Sequence, residues 1–327
     1  MKVHILDDWF DTLRHLPCFE KLSRHDVTVW TDHAEDPAVL GQRLADAETL
    51  VLFRERTPVG APLLDHLPGL KLISQRGVYP HVDVPACTAH DVLLCSNTRS
   101  DTPSYAAAEL TWGLLLSAMR QIPQQMASLR AGRWQMGVGK TLRGRTLGLY
   151  GYGRIARVVA GYAGAFGMNI LCWGSEDGRA RARADGRTVA ASRAAFFSDC
   201  DAVSVHLRLT DSTRGVITAE DLALMPAHAV FVNTSRAGLV AHGALLAALE
   251  AGRPGMAAVD VFETEPLTDP ADPLIAHPNV IATPHIGYVT EDELDMQFAD
   301  IFDQINAFAS GAPIHMINPE AWQRQRP

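Results

Sequence analysis

The sequence has few cysteines and no long apolar run, and both absences narrow the class of protein. Five cysteines are scattered through 327 residues without the paired spacing of a zinc site or a disulfide framework. No apolar stretch approaches the roughly 20 residues that cross a bilayer. The first ten residues, MKVHILDDWF, include two aspartates and do not resemble a signal peptide. We therefore expect no metal site, no membrane association and a reducing, cytoplasmic location.

Basic residues are also in deficit. Lysine and arginine number 29 against 37 aspartates and glutamates, which gives a formal net charge of −8. Nucleic-acid binding draws much of its affinity from clustered lysines and arginines, so this balance argues against a nucleic-acid partner. A small anionic ligand is not excluded, because a few local arginines can make a positive pocket in an acidic protein.

Apolar residues are abundant, at 47% of the chain, and can form large cores. A length of 327 residues, at roughly 150 per domain, indicates two domains. Short apolar runs alternate with helical stretches, which is typical of parallel sheets covered by helices. The predicted strands of the first hundred residues are 3–6, 27–30, 49–53, 70–74 and 92–95. Those of a second series are 146–150, 169–173, 202–206, 229–233, 256–261 and 280–283. Six such strands suit a doubly wound sheet.

Helical periodicity is strongest in two places. Residues 104–129 form one helical pattern, which Pro123 is expected to kink or divide. A second amphipathic pattern over 290–310 predicts the last helix. The polar residues 319–327 are expected to form a mobile end.

A glycine-rich turn follows the first strand of the second series. Gly151, Gly153 and Ala156 fit the spacing G-x-G-x-x-G/A between a predicted strand and a predicted helix. The first glycine allows a tight turn, the second a close approach of a pyrophosphate, and the alanine close helix packing. The amide groups near Arg154 and Ile155 would face that anion. The motif alone is weak, but its strand–helix context favours a dinucleotide site.

The next strand ends without the acidic residue that an NAD site usually places there to bind the ribose hydroxyls. Gly174 occupies that position, followed by Ser175 and Glu176. Three arginines, 179, 181 and 183, lie close behind and could attract a 2′-phosphate, or could form a solvated helix face. Glu176 would repel that phosphate, so the choice between NAD and NADP stays open.

Three further segments place polar residues at predicted strand ends. They are 233–236 (NTSR), 260–266 (DVFETEP) and 283–287 (TPHIG). Ligands of parallel α/β sheets bind outside the carboxyl ends of the strands, so these residues are expected at the cofactor edge. An arginine, a glutamate or a histidine alone could be a structural group. Three of them behind a dinucleotide motif favour a catalytic site.

The glycine-rich turn, NTSR, DVFETEP and TPHIG, in this order and spacing, resemble the D-isomer-specific 2-hydroxyacid dehydrogenase family. The resemblance covers nearly the whole chain and is strongest over 144–290. It implies hydride transfer between NAD or NADP and a small 2-oxo acid, which gives the D-2-hydroxy acid.

The resemblance also implies individual roles. Arg236 would bind the substrate carboxylate and carbonyl oxygen through its planar guanidinium. His285 would donate or accept the proton, and Glu265 would orient the imidazole and favour its charged form. The residues expected to contact the cofactor, besides the glycine-rich turn, are Ser175, His206, Thr234 and Asp260, the last through the nicotinamide carboxamide.

The resemblance assigns substrate binding to the first domain as well. Arg54 would reach the carboxylate, and so would the backbone N–H groups of Gly77 and Val78. An ion pair with Glu55 or Asp65 is the alternative for Arg54. The loop at 77 has fewer glycines than is common in the family.

We therefore expect an α/β protein with a Rossmann doubly wound parallel sheet and a smaller flavodoxin-like α/β substrate domain. The dinucleotide-binding domain would span 98–287. The substrate domain would comprise 1–97 and 288–327, with the active site in the cleft. Family members are commonly dimers, so a homodimer is expected, with the helix from Ser104 and the segment at Trp134 as candidate contacts.

Two alternatives stay open. Some relatives of this fold act as NAD(H)-sensing corepressors and can keep all three catalytic residues, although the lack of basic tails argues against this function. A formate-dehydrogenase-like enzyme is the second alternative. Such enzymes usually carry glutamine beside the histidine, so Glu265 argues against it.

Overall fold

The structure is a computed structural model, and it describes residues 1–98 and 105–325. The chain divides into two compact units, one formed by Met1–Thr102 with Thr290–Pro327 and the other by Pro103–Val289. The assignment of substrate binding to one unit and cofactor binding to the other remains a prediction. Ser104, the expected start of the long helix, lies outside the described residues.

Twelve strands and thirteen α-helices are found in the described part of the chain. The strands are β1 (Lys2–Ile5), β2 (Asp26–Val29), β3 (Thr49–Val51), β4 (Leu72–Arg76), β5 (Leu93–Asn97), β6 (Thr146–Tyr150), β7 (Asn169–Trp173), β8 (Thr188–Val189), β9 (Ala202–Val205), β10 (Val230–Asn233), β11 (Met256–Val259) and β12 (Val280–Ala282). The helices are α1 (Pro37–Arg43), α2 (Ala61–Leu64), α3 (Val84–Ala89), α4 (Tyr105–Arg120), α5 (Ile122–Arg130), α6 (Arg154–Ala165), α7 (Glu176–Ala184), α8 (Arg193–Ser198), α9 (Ala219–Leu224), α10 (Ala244–Glu250), α11 (Pro273–Ala276), α12 (Glu291–Ala309) and α13 (Pro319–Gln325). Short 3-10 helices cover Leu13–His15, Pro17–Leu22 and Ala237–Leu239.

The first unit contains a five-stranded parallel sheet in the order β2-β1-β3-β4-β5. This is the flavodoxin-like order. The sheet interior is apolar, and Leu50 and Ile73 are fully buried. Helix α12 returns from the end of the chain to pack on β4, and its Phe298 ring lies 4.9 Å from the ring of Phe53, just after β3. The last long helix therefore completes a core that the first hundred residues begin.

The second unit contains a seven-stranded parallel sheet in the order β12-β11-β10-β9-β6-β7-β8. Read from β8, this is the Rossmann order with one additional strand. The order reverses at β6, whose carboxyl end carries the glycine-rich turn. The predicted fold class is confirmed, while β8 was missed because two residues are too short to form a sequence pattern.

One local expectation is confirmed and another is wrong. The helical pattern over 104–129 is divided, because Gln121 adopts a left-handed conformation (φ +53°) and α5 begins after it with Pro123 in its first turn. The expected mobile end is wrong for 319–325, which form α13. That helix is fixed because the Trp322 ring packs 5.2 Å from Phe308 and the Gln325 side chain donates to the Lys71 carbonyl.

Candidate active site

The glycine-rich turn has the shape that a dinucleotide requires. Gly151 has φ +95°, and a Cβ there would lie 2.6 Å from the carbonyl oxygen of His206, so only glycine fits. A Cβ at Gly153 would meet nothing within 4 Å. Helix α6 begins at Arg154, and the amide groups of its first turn, Ile155 included, point to this open space. The open cradle at the start of a helix fits a pyrophosphate.

The end of β7 explains why no acidic side chain is present there. Gly174 has φ +142°, and a Cβ would lie 3.3 Å from the Gly151 nitrogen, so any side chain would be strained. Ser175 is the N-cap of α7 and accepts a hydrogen bond from the Gly178 amide at 3.2 Å. The carboxylate of Glu176 accepts hydrogen bonds from the guanidinium groups of Arg179 at 2.5 Å and Arg183 at 3.3 Å.

The arginines counted as possible phosphate ligands are therefore partly used within the protein. Arg179 also donates to the Gly174 carbonyl at 3.1 Å and stacks on the Trp173 ring at 4.6 Å. Arg181 donates to the Tyr152 carbonyl at 3.2 Å, inside the glycine-rich turn.

His206 follows β9 and is held in a neutral form. Burial lowers the pKa of its imidazole to about 4, below the ordinary 6.5. Its Nε2 atom lies 2.9 Å from the Ser204 hydroxyl, and its amide donates to the Tyr150 carbonyl at the end of β6. The predicted cofactor contact of His206 would thus be made by an uncharged ring.

The NTSR turn is fixed by its buried first residue. Asn233, 2% exposed, donates to the Arg236 carbonyl at 3.0 Å and accepts from the Ser235 amide at 3.0 Å. The Ser235 hydroxyl donates to the Val205 carbonyl, which ties the turn to β9. Arg236 is half-buried and donates through Nη1 to the Ser235 carbonyl at 2.7 Å. Asn233 was quoted in the motif, but its supporting role was not predicted.

His285 and Glu265 form a direct pair. The His285 Nδ1 atom lies 2.5 Å from Glu265 Oε2, and Glu265 Oε1 accepts from the Phe262 amide at 2.8 Å. Burial raises the pKa of the Glu265 carboxyl, but the hydrogen bonds from His285 and Phe262 and the positive charges of His285 and Arg236 outweigh burial and leave that pKa lowered. Arg236 is close enough for its charge to contribute to the lowered pKa of Glu265. The second unit therefore brings the three predicted catalytic residues together.

The loop that carries His285 is anchored by Asp260. This carboxylate is fully buried and accepts from the Thr283 hydroxyl at 2.6 Å and from the amides of Ile286 and Gly287, each at 2.8 Å. His285, inside this loop, has φ +53°, a left-handed conformation that is uncommon outside glycine. Burial raises the pKa of Asp260 despite the three hydrogen bonds. Loop anchoring is thus visible, while the carboxamide contact of Asp260 remains a prediction.

Thr234 is bonded to a helix that the motifs did not indicate. Its hydroxyl lies 2.7 Å from that of Thr111 on α4, which in turn lies 2.7 Å from the Ala107 carbonyl. Thr111 is 1% exposed, so water does not reach this contact. No short motif could have indicated it, because 123 residues separate the two threonines.

The predicted substrate residues of the first unit follow the carboxyl ends of its strands. Arg54 has φ +63°, and Asp65, one partner considered for it, is bonded by His90 at 2.9 Å. The Gly77 amide donates to the Asn97 carbonyl at 3.0 Å, so its only donor is already used. Binding of substrate by that amide would require this bond to break.

Val78 is half exposed, and no backbone carbonyl accepts a hydrogen bond from its amide within the described residues. It remains a predicted donor.

Among the described residues, no three histidine, cysteine or acidic side chains are grouped so that they could bind a metal ion. Within the same residues, no helix combines the length and apolarity needed to cross a membrane.

Comparison with known proteins identifies the family. Residues 112–287 match the family model described as D-isomer specific 2-hydroxyacid dehydrogenase, NAD binding domain. The chain is 37% identical over 273 residues to a D-3-phosphoglycerate dehydrogenase of Methanocaldococcus jannaschii, covering 83% of this chain and 51% of that protein. It thus spans about half the length of that relative. It is 34% identical to a glyoxylate reductase of Aeropyrum pernix over 325 residues, covering 94% of each chain.

A solved structure is also similar along its whole length. It is a phosphoglycerate oxidoreductase from Vibrio cholerae, with a TM-score of 0.89 and 46% identity, covering 95% of this chain and all of that one. The chain described here therefore belongs to the D-isomer specific 2-hydroxyacid dehydrogenase family.

Proposed function

We propose that this protein transfers a hydride between NAD(H) and a small 2-oxo acid, with a D-2-hydroxy acid as the reduced product. The observation that carries the proposal is the bonded pair of His285 and Glu265 next to Arg236, at the sheet edge that bears the glycine-rich turn. Acid–base chemistry beside a dinucleotide cradle is the combination that reduction of a carbonyl needs.

Each residue contributes a distinct step. Bound NADH supplies the hydride. Glu265 engages Nδ1 of His285, which leaves Nε2 to exchange a proton with the substrate oxygen. Because the pKa of Glu265 is lowered, its carboxylate stays charged at neutral pH and can hold the imidazole in a fixed orientation. Arg236 binds the carboxylate of the substrate with two nitrogen donors.

The first experiment is a panel of 2-oxo acids, including glyoxylate, hydroxypyruvate, pyruvate and larger homologues, each with NADH and with NADPH. The His285→Ala variant should lower kcat by about 100-fold or more and leave the Kd for NADH within about twofold. Arg236→Lys should also lower the rate of 2-oxo acid reduction severely, because an ammonium group cannot bind the substrate carboxylate through two parallel hydrogen bonds.

The chain offers a matched control for His285. His242 also bonds a glutamate through Nδ1, with Glu263 at 2.5 Å, but its side chain is 91% exposed. His242→Ala should keep kcat unchanged. Full activity of His285→Ala would remove the imidazole from the mechanism. Tight NADH binding without turnover of any 2-oxo acid would favour the corepressor-like sensor. Oxidation of formate would favour the formate-dehydrogenase-like enzyme.

We propose in addition that the protein is a homodimer. Three apolar residues of α5, namely Ile122, Met126 and Leu129, are 43% to 59% exposed at helical spacing. The segment behind them exposes Trp134 by 78% and Val138 by 92%. Such an apolar surface supports burial against a second copy. A cytoplasmic location belongs to the same proposal, because all five buried cysteines are free thiols.

A further inference from the structure

The pair of threonines described above has only one consistent arrangement of protons. The Thr111 oxygen is 2.7 Å from both the Ala107 carbonyl and the Thr234 hydroxyl, and Thr111 carries one hydroxyl proton. A carbonyl oxygen can only accept, so that proton goes to Ala107. The bond between the threonines must then be donated by Thr234.

This arrangement determines what Thr234 can offer to a ligand. Its only proton is used, so its oxygen can act only as an acceptor. Thr234 is half-buried directly after β10, two residues before Arg236, and no other hydrogen bond of its hydroxyl is found in the described part of the chain. The acceptor therefore lies at the edge where the nicotinamide is proposed to bind.

We infer that Thr111 is a positioning residue that commits the Thr234 hydroxyl to accept a hydrogen bond from the amide NH2 of the nicotinamide carboxamide. That NH2 is the donor carried by the nicotinamide ring. Asp260, the other predicted acceptor, already receives three protein donors and is fully buried, so Thr234 is the more open acceptor. Ordering of the carboxamide would fix the ring face from which hydride leaves.

The test compares NADH with its reduced 3-acetylpyridine analogue, in which a methyl group replaces the NH2 and the rest of the dinucleotide is kept. Dissociation constants are measured without substrate. In Thr111→Val, we expect the Kd for NADH to rise about threefold and that of the analogue to stay unchanged. Thr234→Val removes the acceptor itself and should raise the Kd for NADH by about fivefold, again sparing the analogue. Thr111→Ser keeps the hydroxyl and should restore wild-type binding.

Thr88 provides a matched control. It lies on α3 of the other unit, donates to the carbonyl four residues before it, and accepts from the Asn318 side chain at 2.9 Å. Thr88→Val therefore makes the same chemical change in the same bonding pattern and should leave both dissociation constants unchanged. Melting temperatures of all variants show whether folding contributes. If Thr111→Val does not fold, the dissociation constants of Thr234→Val and Thr111→Ser still test the inference.

If Thr234→Val raised the Kd for NADH and for the analogue equally, the inference would be overturned. The donor would then be a ribose hydroxyl, or the effect would be structural. An unchanged Kd for both ligands in Thr234→Val would overturn the inference as well. The inference rests on the proposed function only in taking a nicotinamide dinucleotide as ligand. The selective loss can be observed even if no 2-oxo acid is turned over, so the two can fail separately.

Discussion

Two histidines at strand ends of the second unit are proposed to have different roles, and their neighbours differ accordingly. His206 lies beside a serine hydroxyl, and burial alone lowers the pKa of its ring to about 4. His285 instead lies 2.5 Å from the carboxylate of Glu265, whose own pKa is lowered. The uncharged His206 ring suits packing against a ligand, whereas proton transfer is the role proposed for His285.

His206 should make the protein less stable in mild acid. Below pH 6.5 the unfolded chain binds a proton at this residue, whereas the folded protein does so only near pH 4. The free energy of unfolding should therefore fall progressively from pH 6.5 to about pH 4, by at most about 3 kcal/mol from this group. Urea unfolding across this range should show a smaller fall for His206→Gln than for the wild type. Parallel curves for the two proteins would contradict the assignment.

The candidate catalytic residues, and the pairing of Glu265 with His285, could be proposed from the sequence, but most of their other hydrogen-bond partners could not. Arg236, Glu265 and His285 stand in short motifs at predictable strand ends, and their convergence follows from sheet topology. Thr111 has no motif, and its role depends on which way two side chains point across 123 residues. Gly77 shows the reverse, because its place at a strand end was predicted but not the use of its amide by Asn97.

At the scale of elements, the histidine proposed as catalytic depends on a loop with no regular structure of its own. Residues 283–287 follow β12 and are fixed by a single carboxylate from the end of β11, because Asp260 receives the Thr283 hydroxyl and two loop amides. The left-handed backbone at His285 requires such anchoring, since it is disfavoured for a side chain of this kind.

Weakening this anchor should cost stability and activity together. Asp260→Asn replaces one acceptor oxygen by an NH2 group, so at least one loop donor loses its partner, and the free energy of unfolding should fall by about 2 kcal/mol. Thr283→Val removes one bond and should cost about 1 kcal/mol. The double variant should lose less than the sum, because both changes act on the same bond. Full additivity in denaturant unfolding would show that the two residues act independently.

Strands were easier to predict than helices for a physical reason. Most of the strands are buried on both faces, and their continuous apolar runs mark them clearly. Their observed bounds lie within two residues of the predicted ones. Two-residue β8 has no such run. The division of the long helix was expected near Pro123, but its position depends on the left-handed conformation of Gln121, which composition does not indicate.

At the scale of the whole molecule, the proposed dimer is the property that the exposed apolar residues of α5 and its following segment would explain. Replacing Trp134 and Val138 by glutamate places two charges in that surface, and burying them in an interface is costly. We expect the mass measured by light scattering to fall from that of a dimer to that of a monomer.

Val39 supplies the control for this experiment. It is 43% exposed on α1 of the other unit, so Val39→Glu introduces the same kind of charge without touching the proposed contact. The Val39 variant should keep the wild-type mass. A dimeric Trp134/Val138 variant, or a monomeric wild type at micromolar concentration, would reject the interface.

The order in which the segments of the two units follow one another in the sequence also affects folding during translation. The first unit needs α12, whose Phe302 is fully buried and whose Phe298 packs on Phe53, yet this helix is translated only after the entire second unit. At about 5 to 20 residues per second, the first hundred residues wait roughly 10 to 40 s for that helix. During this interval the nascent sheet exposes apolar side chains, which makes it a natural client for a holding chaperone, while the second unit can already fold.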